Sequence, residues 1–157
     1  MKTIIIGLGN PILGDDGVGW RIAETLRDHT IDSADIECAA LGGLSLMERM
    51  IGYDRAIVID AFETEQTPGV VIVSDLASLS DHRSMYTSSA HDTSIQHALS
   101  VGRMMGAHLP ADVKIVGVTA QRLYDFTEEL TPLVAAAIPI AAEQVLRLLD
   151  PSKGGLS

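Results

Sequence analysis

Two stretches of this chain, KTIIIG at 2–7 and RAIVIDA at 55–61, are continuous runs of branched apolar residues without polar alternation. A strand with one wet face alternates. An unbroken run fits a strand covered on both faces, as in a parallel sheet. DIECAA (35–40) and DVKIVGVT (112–119) read as further strands, and GVVIVSD (69–75) as one that lies at an edge. Helical periodicity fills the intervals. Val18, Ile22, Ala23 and Leu26 form one face of a first helix; Leu46, Met47, Met50 and Ile51 form a second, entered through Ser45 and Glu48 at capping-box spacing. Ile95, Leu99 and Met105 mark a third. The last starts with Thr131 as N-cap and Pro132 at its first position and runs to about Leu149, with a bend expected at Pro139. Strand and helix in alternation predict an α/β three-layer sandwich, a mostly parallel sheet flanked by helices on both faces, with functional groups at the carboxyl ends of its strands.

With 157 residues the chain is expected to form one domain over 1–150, followed by a flexible tail over 151–157. Eleven basic against 21 acidic side chains give a formal charge of −10, spread along the sequence, which argues against nucleic acid or an anionic membrane as a partner. The single cysteine, Cys38, has no intramolecular disulfide partner and reads as a small buried hydrophobe, just as the methionines on the helix faces read as core. The opening MKTIIIGLGN has too short an apolar run for a signal sequence, and no run approaches the roughly 20 apolar residues of a membrane span. A soluble cytoplasmic protein, monomeric, is the expectation.

The carboxyl-end rule sorts the polar residues. Gly7 ends the first run, which puts Asp15 and Asp16 just beyond it; Asp60 closes AIVID at the end of another; His91, in TSSAHDTS, comes immediately before the third helix with Asp92 or Thr93 as its cap. Two carboxylates and an imidazole supply hard oxygen and borderline nitrogen donors, a set that suits nickel, zinc, iron or manganese and leaves coordination positions open. Each member has a plainer reading. Asp15 and Asp16 stand where an N-cap would stand, Asp60 would be an acid buried at a strand end, and His91 a surface loop residue like His29, His82, His97 and His108. Other chemistries fit less well. GLGNPILGDDG departs from G-x-G-x-x-G and turns two acids toward a would-be pyrophosphate, and GGLSL lacks the second glycine of a nucleophile elbow.

The series IIIGLGNPILGDDGVG, GG at 42–43, IVIDA at 57–61, PG at 68–69, SSAHD at 88–92 and VGVTAQ at 116–121 resembles, in order and over nearly the whole chain, the hydrogenase maturation protease family. Members of that family trim the C-terminal extension from the large-subunit precursor of nickel-iron hydrogenases. The resemblance implies a twisted α/β sandwich and assigns the metal-binding acid, strand aspartate and loop histidine to Asp16, Asp60 and His91, with Asp15 a supporting neighbour. It implies further that the nickel is carried by the precursor's cysteines and that cleavage waits for its insertion. Many relatives carry an acid shortly before the double glycine, where this chain has Ala40 and Leu41, so the polarity of the glycine loop differs. Peptidyl-tRNA hydrolase shares GLGNP, but here no histidine follows before His29 and the acidic charge disfavours tRNA. A nickel-sensing chaperone of the precursor that does not cleave would carry the same ligands.

Overall fold

The computed structural model describes residues 1–29, 31–79, 95–121 and 125–153. Five strands, β1 (Thr3–Leu8), β2 (Ala34–Ala39), β3 (Arg55–Glu63), β4 (Val71–Asp75) and β5 (Asp112–Ala120), form one sheet in the order β2-β1-β3-β5-β4. Four strands run parallel and β4 lies antiparallel to β5 at the edge, as the apolar runs imply. Alternation along each strand feeds two cores. Ile5, Ile57, Ile59, Val116 and Val118 face helices α1 (Val18–Arg27) and α4 (Pro132–Leu149), while Ile4, Ile6, Val58, Phe62 and Ile115 face α2 (Gly43–Met50) and α3 (Ile95–Met104). The three-layer sandwich is therefore the observed fold.

The elements depart from expectation in four places. Helix α2 starts at Gly43 behind an extended Gly42, so Ser45 lies inside the helix and no side chain caps it; the glycine pair turns the chain without a capping box. Ile51, just past the end of α2, is exposed, and so are Met104 and Met105, whereas Met47 and Met50 are core. β3 continues three residues past Asp60, because β5 pairs with it through Ala120. Cys38 is only half-buried in β2, with Sγ 3.9 Å from the Trp20 carbonyl oxygen; burial pushes its thiol up, away from the reactive thiolate.

Helix α4 has 18 residues at a mean hydropathy of 1.5, long and apolar enough by composition to match a membrane span. In this fold Val134, Ala137, Ala141, Ala142 and Val145 pack it on the sheet, and it continues unbroken through Pro139. A turn at Pro151–Lys153 follows, and 154–157 lie outside the described residues.

One close approach positions everything above it. Gly19 in the first turn of α1 lies against the end of β1 and the middle of β3 so tightly that an added Cβ would stand 2.3 Å from Leu8 O and 2.5 Å from Ile59 O. Both are backbone atoms of the central strands and have no free rotation to yield. Gly19→Ala is therefore expected to lower stability by about 1–3 kcal/mol through overpacking, a drop of several degrees in a thermal melt. An unchanged Tm would mean that α1 is not seated this deeply.

Candidate active site

The chain leaves β1 through a tight reversal. Gly9 has φ +130°, and an added Cβ there would fall 1.9 Å from Asp16 O, so only glycine lets residues 9 and 16 approach. Asn10 secures the loop twice: its N–H donates to Asp16 Oδ2 at 2.9 Å, and its Oδ1 accepts the Ile12 N–H at 3.2 Å. A single 3-10 turn, Gly14–Gly17, then leads into α1. Asp16 is 6% exposed, and its Oδ1 has no hydrogen-bond partner. Burial pushes the Asp16 carboxyl above its ordinary range, and the Asn10 N–H opposes that shift without cancelling it. Asp16 is not a cap of α1, whose N-terminus carries no side-chain cap. A buried carboxylate oxygen with no donor among the described residues calls for a partner from outside them, water or a cation.

Asp15, its neighbour, does something else. It is 2% exposed, its Oδ1 accepts the Thr131 N–H and its Oδ2 accepts the Thr131 hydroxyl, both at 2.8 Å. Thr131 is the N-cap of α4 and Pro132 follows at the first position, as the sequence implies, but the Thr131 hydroxyl goes to Asp15 rather than to helix amides. Asp15 thus ties the start of α4 to the loop after β1, with a negative charge at the positive end of that helix.

Asp60 is 8% exposed and stands inside β3, opposite Gly117 of β5, not at a strand end. The sheet's carboxyl edge is staggered. Gly7 pairs with Ile59, so Leu8, the last residue of β1, comes level with Asp60, and the Gly14–Gly17 turn packs on β3 there. Asp60 Oδ1 accepts the Ala61 N–H at 2.8 Å. Strand alternation puts the Asp60 side chain on the face of Val58 and Phe62, the face covered by α2 and α3. Strand order reverses between β1, which leads to β2, and β3 beside it, and Asp16 and Asp60 belong to the loop and strand at this switch point.

His91 and His82 lie outside the described residues, as do Asp92 and Thr93; His91 precedes the first residue of α3, Ile95, by four positions in the sequence. Among the described residues no three His, Cys, Asp or Glu side chains form a group that could hold a metal ion. Two of the described histidines are engaged elsewhere: His108 with Asp54 at 2.8 Å, and the His29 ring with the Thr25 carbonyl oxygen at 3.1 Å. The Asp15–Thr131 tie and the Asn10 amide had no local signal in the sequence.

The fold is that of an α/β protein, a mostly parallel sheet with Asp16 and Asp60 buried in the loop and strand at its switch point and Asp15 buried beside them. A family model for hydrogenase maturation proteases matches residues 20–148. The hydrogenase 2 maturation protease of Escherichia coli K12 is 31% identical over 159 residues, covering 97% of this chain and 93% of that protein. The hydrogenase expression/formation protein HupD of Rhizobium leguminosarum bv. viciae is 29% identical over 94% of this chain and 74% of its own. The solved structure of the hydrogenase maturating endopeptidase HybD from E. coli superposes with a TM-score of 0.81 at 30% identity, covering 97% of this chain and 94% of that one. The chain belongs to the hydrogenase maturation protease family and is a peptide-bond hydrolase.

Proposed function

We propose that this protease removes the C-terminal extension of a nickel-iron hydrogenase large-subunit precursor in the cytoplasm, after nickel insertion, and that Asp16, Asp60 and His91 recognise the nickel the precursor carries. The observation that carries this reading is Asp16 Oδ1, an anionic oxygen buried at the switch point with no protein donor to satisfy it. A cation fits this atom; an anionic ligand would not. Oxygen donors from Asp16 and Asp60 with nitrogen from His91 form an incomplete set, suited to finishing the coordination shell of a nickel that arrives with its own cysteine ligands. Here the metal is part of the substrate.

Recognition and chemistry then share one place. The Asn10 N–H fixes Asp16, and burial makes its carboxylate a stronger base than an exposed aspartate. In the hydrolysis a water oxygen bonds to the scissile carbonyl carbon, the C–N bond breaks, and a proton from the water ends on the leaving amine. In this reading Asp16 or Asp60 takes that proton and returns it, and the raised basicity of Asp16 favours Asp16.

Nickel dependence is tested by incubating the protein with nickel-loaded and nickel-free precursor and following loss of the extension by mass spectrometry. Trimming of the loaded form alone is expected. Equal trimming of both would overturn nickel recognition, and binding without trimming of either would make the chain a chaperone.

A further inference from the structure

Beside Asp16 lies a surface that the chemistry leaves unused. Leu13 and Thr127 form an isolated parallel bridge, in which Thr127 N–H donates to Ile12 O at 3.0 Å and Gly14 N–H donates to Thr127 O at 2.8 Å. Leu13 and Thr127 are half-buried. The Thr127 N–H on the Ile12 carbonyl oxygen brings the backbone of Ile12 close to that of Phe126, the residue before Thr127. Both are exposed, Ile12 at 49% and Phe126 at 85%. Asp125, Glu128 and Glu129 are exposed on the same loop. Arg21 reaches this loop, but its guanidinium donates to the Glu128 carbonyl oxygen at 2.8 Å and not to a carboxylate. Two large exposed apolar side chains thus stand on adjoining, hydrogen-bonded loops, among described neighbours of which three are acidic and one, Arg21, is basic.

We propose that the Ile12–Phe126 pair and its carboxylates dock a segment of the precursor that carries Lys or Arg beside an apolar side chain. The proposal rests on the function given above. Two observations select this occupant. The first is charge: the chain has a formal charge of −10, and Asp125, Glu128 and Glu129 concentrate negative charge around the apolar pair, which favours a cationic segment and repels an acidic one. The second is continuity with the site. Ile12 donates its N–H to Asn10 Oδ1, and the Asn10 N–H holds Asp16, so the loop that presents Ile12 is the loop that fixes the Asp16 carboxylate. An aromatic anchor on a rigid backbone loses little conformational entropy on binding and is the usual centre of an interface.

The test uses nickel-loaded precursor and three forms of the protein: the parent, Phe126→Ser, and the triple variant Asp125→Asn, Glu128→Gln, Glu129→Gln. Phe126→Ser is expected to raise KM about ten-fold with kcat within about two-fold, and to leave Tm unchanged because the ring is outside the core. The triple variant is expected to lose most of the decline in kcat/KM that the parent shows as salt is raised. An unchanged KM in Phe126→Ser at unchanged Tm would overturn the proposal. So would a parent that sediments as a dimer and becomes monomeric with Phe126→Ser, since the face would then belong to a second copy. If the parent trims no precursor, the functional reading fails; docking is then decided by direct binding of the precursor to parent and Phe126→Ser, where equal affinity refutes it.

Discussion

Asp16→Asn is expected to reduce trimming of nickel-loaded precursor by about 10²–10⁴-fold and, at neutral pH, to make the folded protein more stable than its parent. The two effects have one cause. Asp16 is buried, its Oδ1 is without a partner, and desolvation raises its pKa above the ordinary 3.8 against the opposing pull of the Asn10 N–H. Asparagine keeps an oxygen for that N–H and removes the charge. The asparagine NH2 stands where Oδ1 stood and is no better satisfied, so the gain comes from removing a charge whose burial is unfavourable, and relief of about 1 kcal/mol of that should lift Tm by about 2–4 °C. The sign with pH follows from linkage. A carboxyl whose folded pKa is raised binds its proton more tightly in the native state, so its contribution to stability is present in full below the unfolded value of 3.8 and is lost as pH rises through the folded pKa. The gain of Asp16→Asn over the parent should therefore be largest near pH 7 and shrink as pH falls through the raised pKa of the parent's Asp16 toward the unfolded 3.8. Melts of both proteins across that range check it. A variant that melts lower at every pH would mean that the Asp16 charge is held by partners, and undiminished trimming would remove Asp16 from the chemistry.

That stability gradient was not readable from the sequence, although much of the frame was. KTIIIG and RAIVIDA reveal β1 and β3 because two covered faces leave no place for polar alternation, and Val18, Ile22, Ala23 and Leu26 reveal α1 because one apolar stripe at helical spacing has one packing solution. Boundaries were less legible. An aspartate after four aliphatics looks like a strand end, yet β3 runs on to Glu63, because the pairing that extends it comes from β5, 57 residues later in the chain. Ser45 and Glu48 have capping spacing, but the Gly42–Gly43 turn starts α2 first. Resemblance singled out Asp16 from the DD pair; spacing alone left Asp15 and Asp16 alike. What separates them is tertiary. One carboxylate meets the backbone amide of Asn10, six residues away, and the other meets Thr131, at a separation of 116.

Asp15→Ala is expected to lower stability by about 2 kcal/mol, the reverse of the effect at its neighbour. Removing the carboxylate takes the acceptor from the Thr131 N–H and from its hydroxyl; Thr131 is exposed and water can replace part of each bond, so the loss is about 0.5–1.5 kcal/mol per bond. The loss of a negative charge at the N-terminus of α4 adds to this. Asp15→Asn should be milder, because one amide oxygen can still accept from Thr131 while the second bond is lost. Activity should fall in both variants through position, not chemistry. The Gly14–Gly17 turn carries Asp15 and Asp16 together, and Thr131 anchors that turn to α4, so Asp16 loses its fixed placement when the anchor goes. The signature is a decline in Tm together with a partial loss of kcat that Thr131→Ala reproduces. Adding Thr131→Ala to Asp15→Ala should then do little further damage, because the two side chains act as one unit. Additive losses in that double-mutant cycle would show that Asp15 works through some other contact, and full activity in Asp15→Ala would show that the turn holds Asp16 without it.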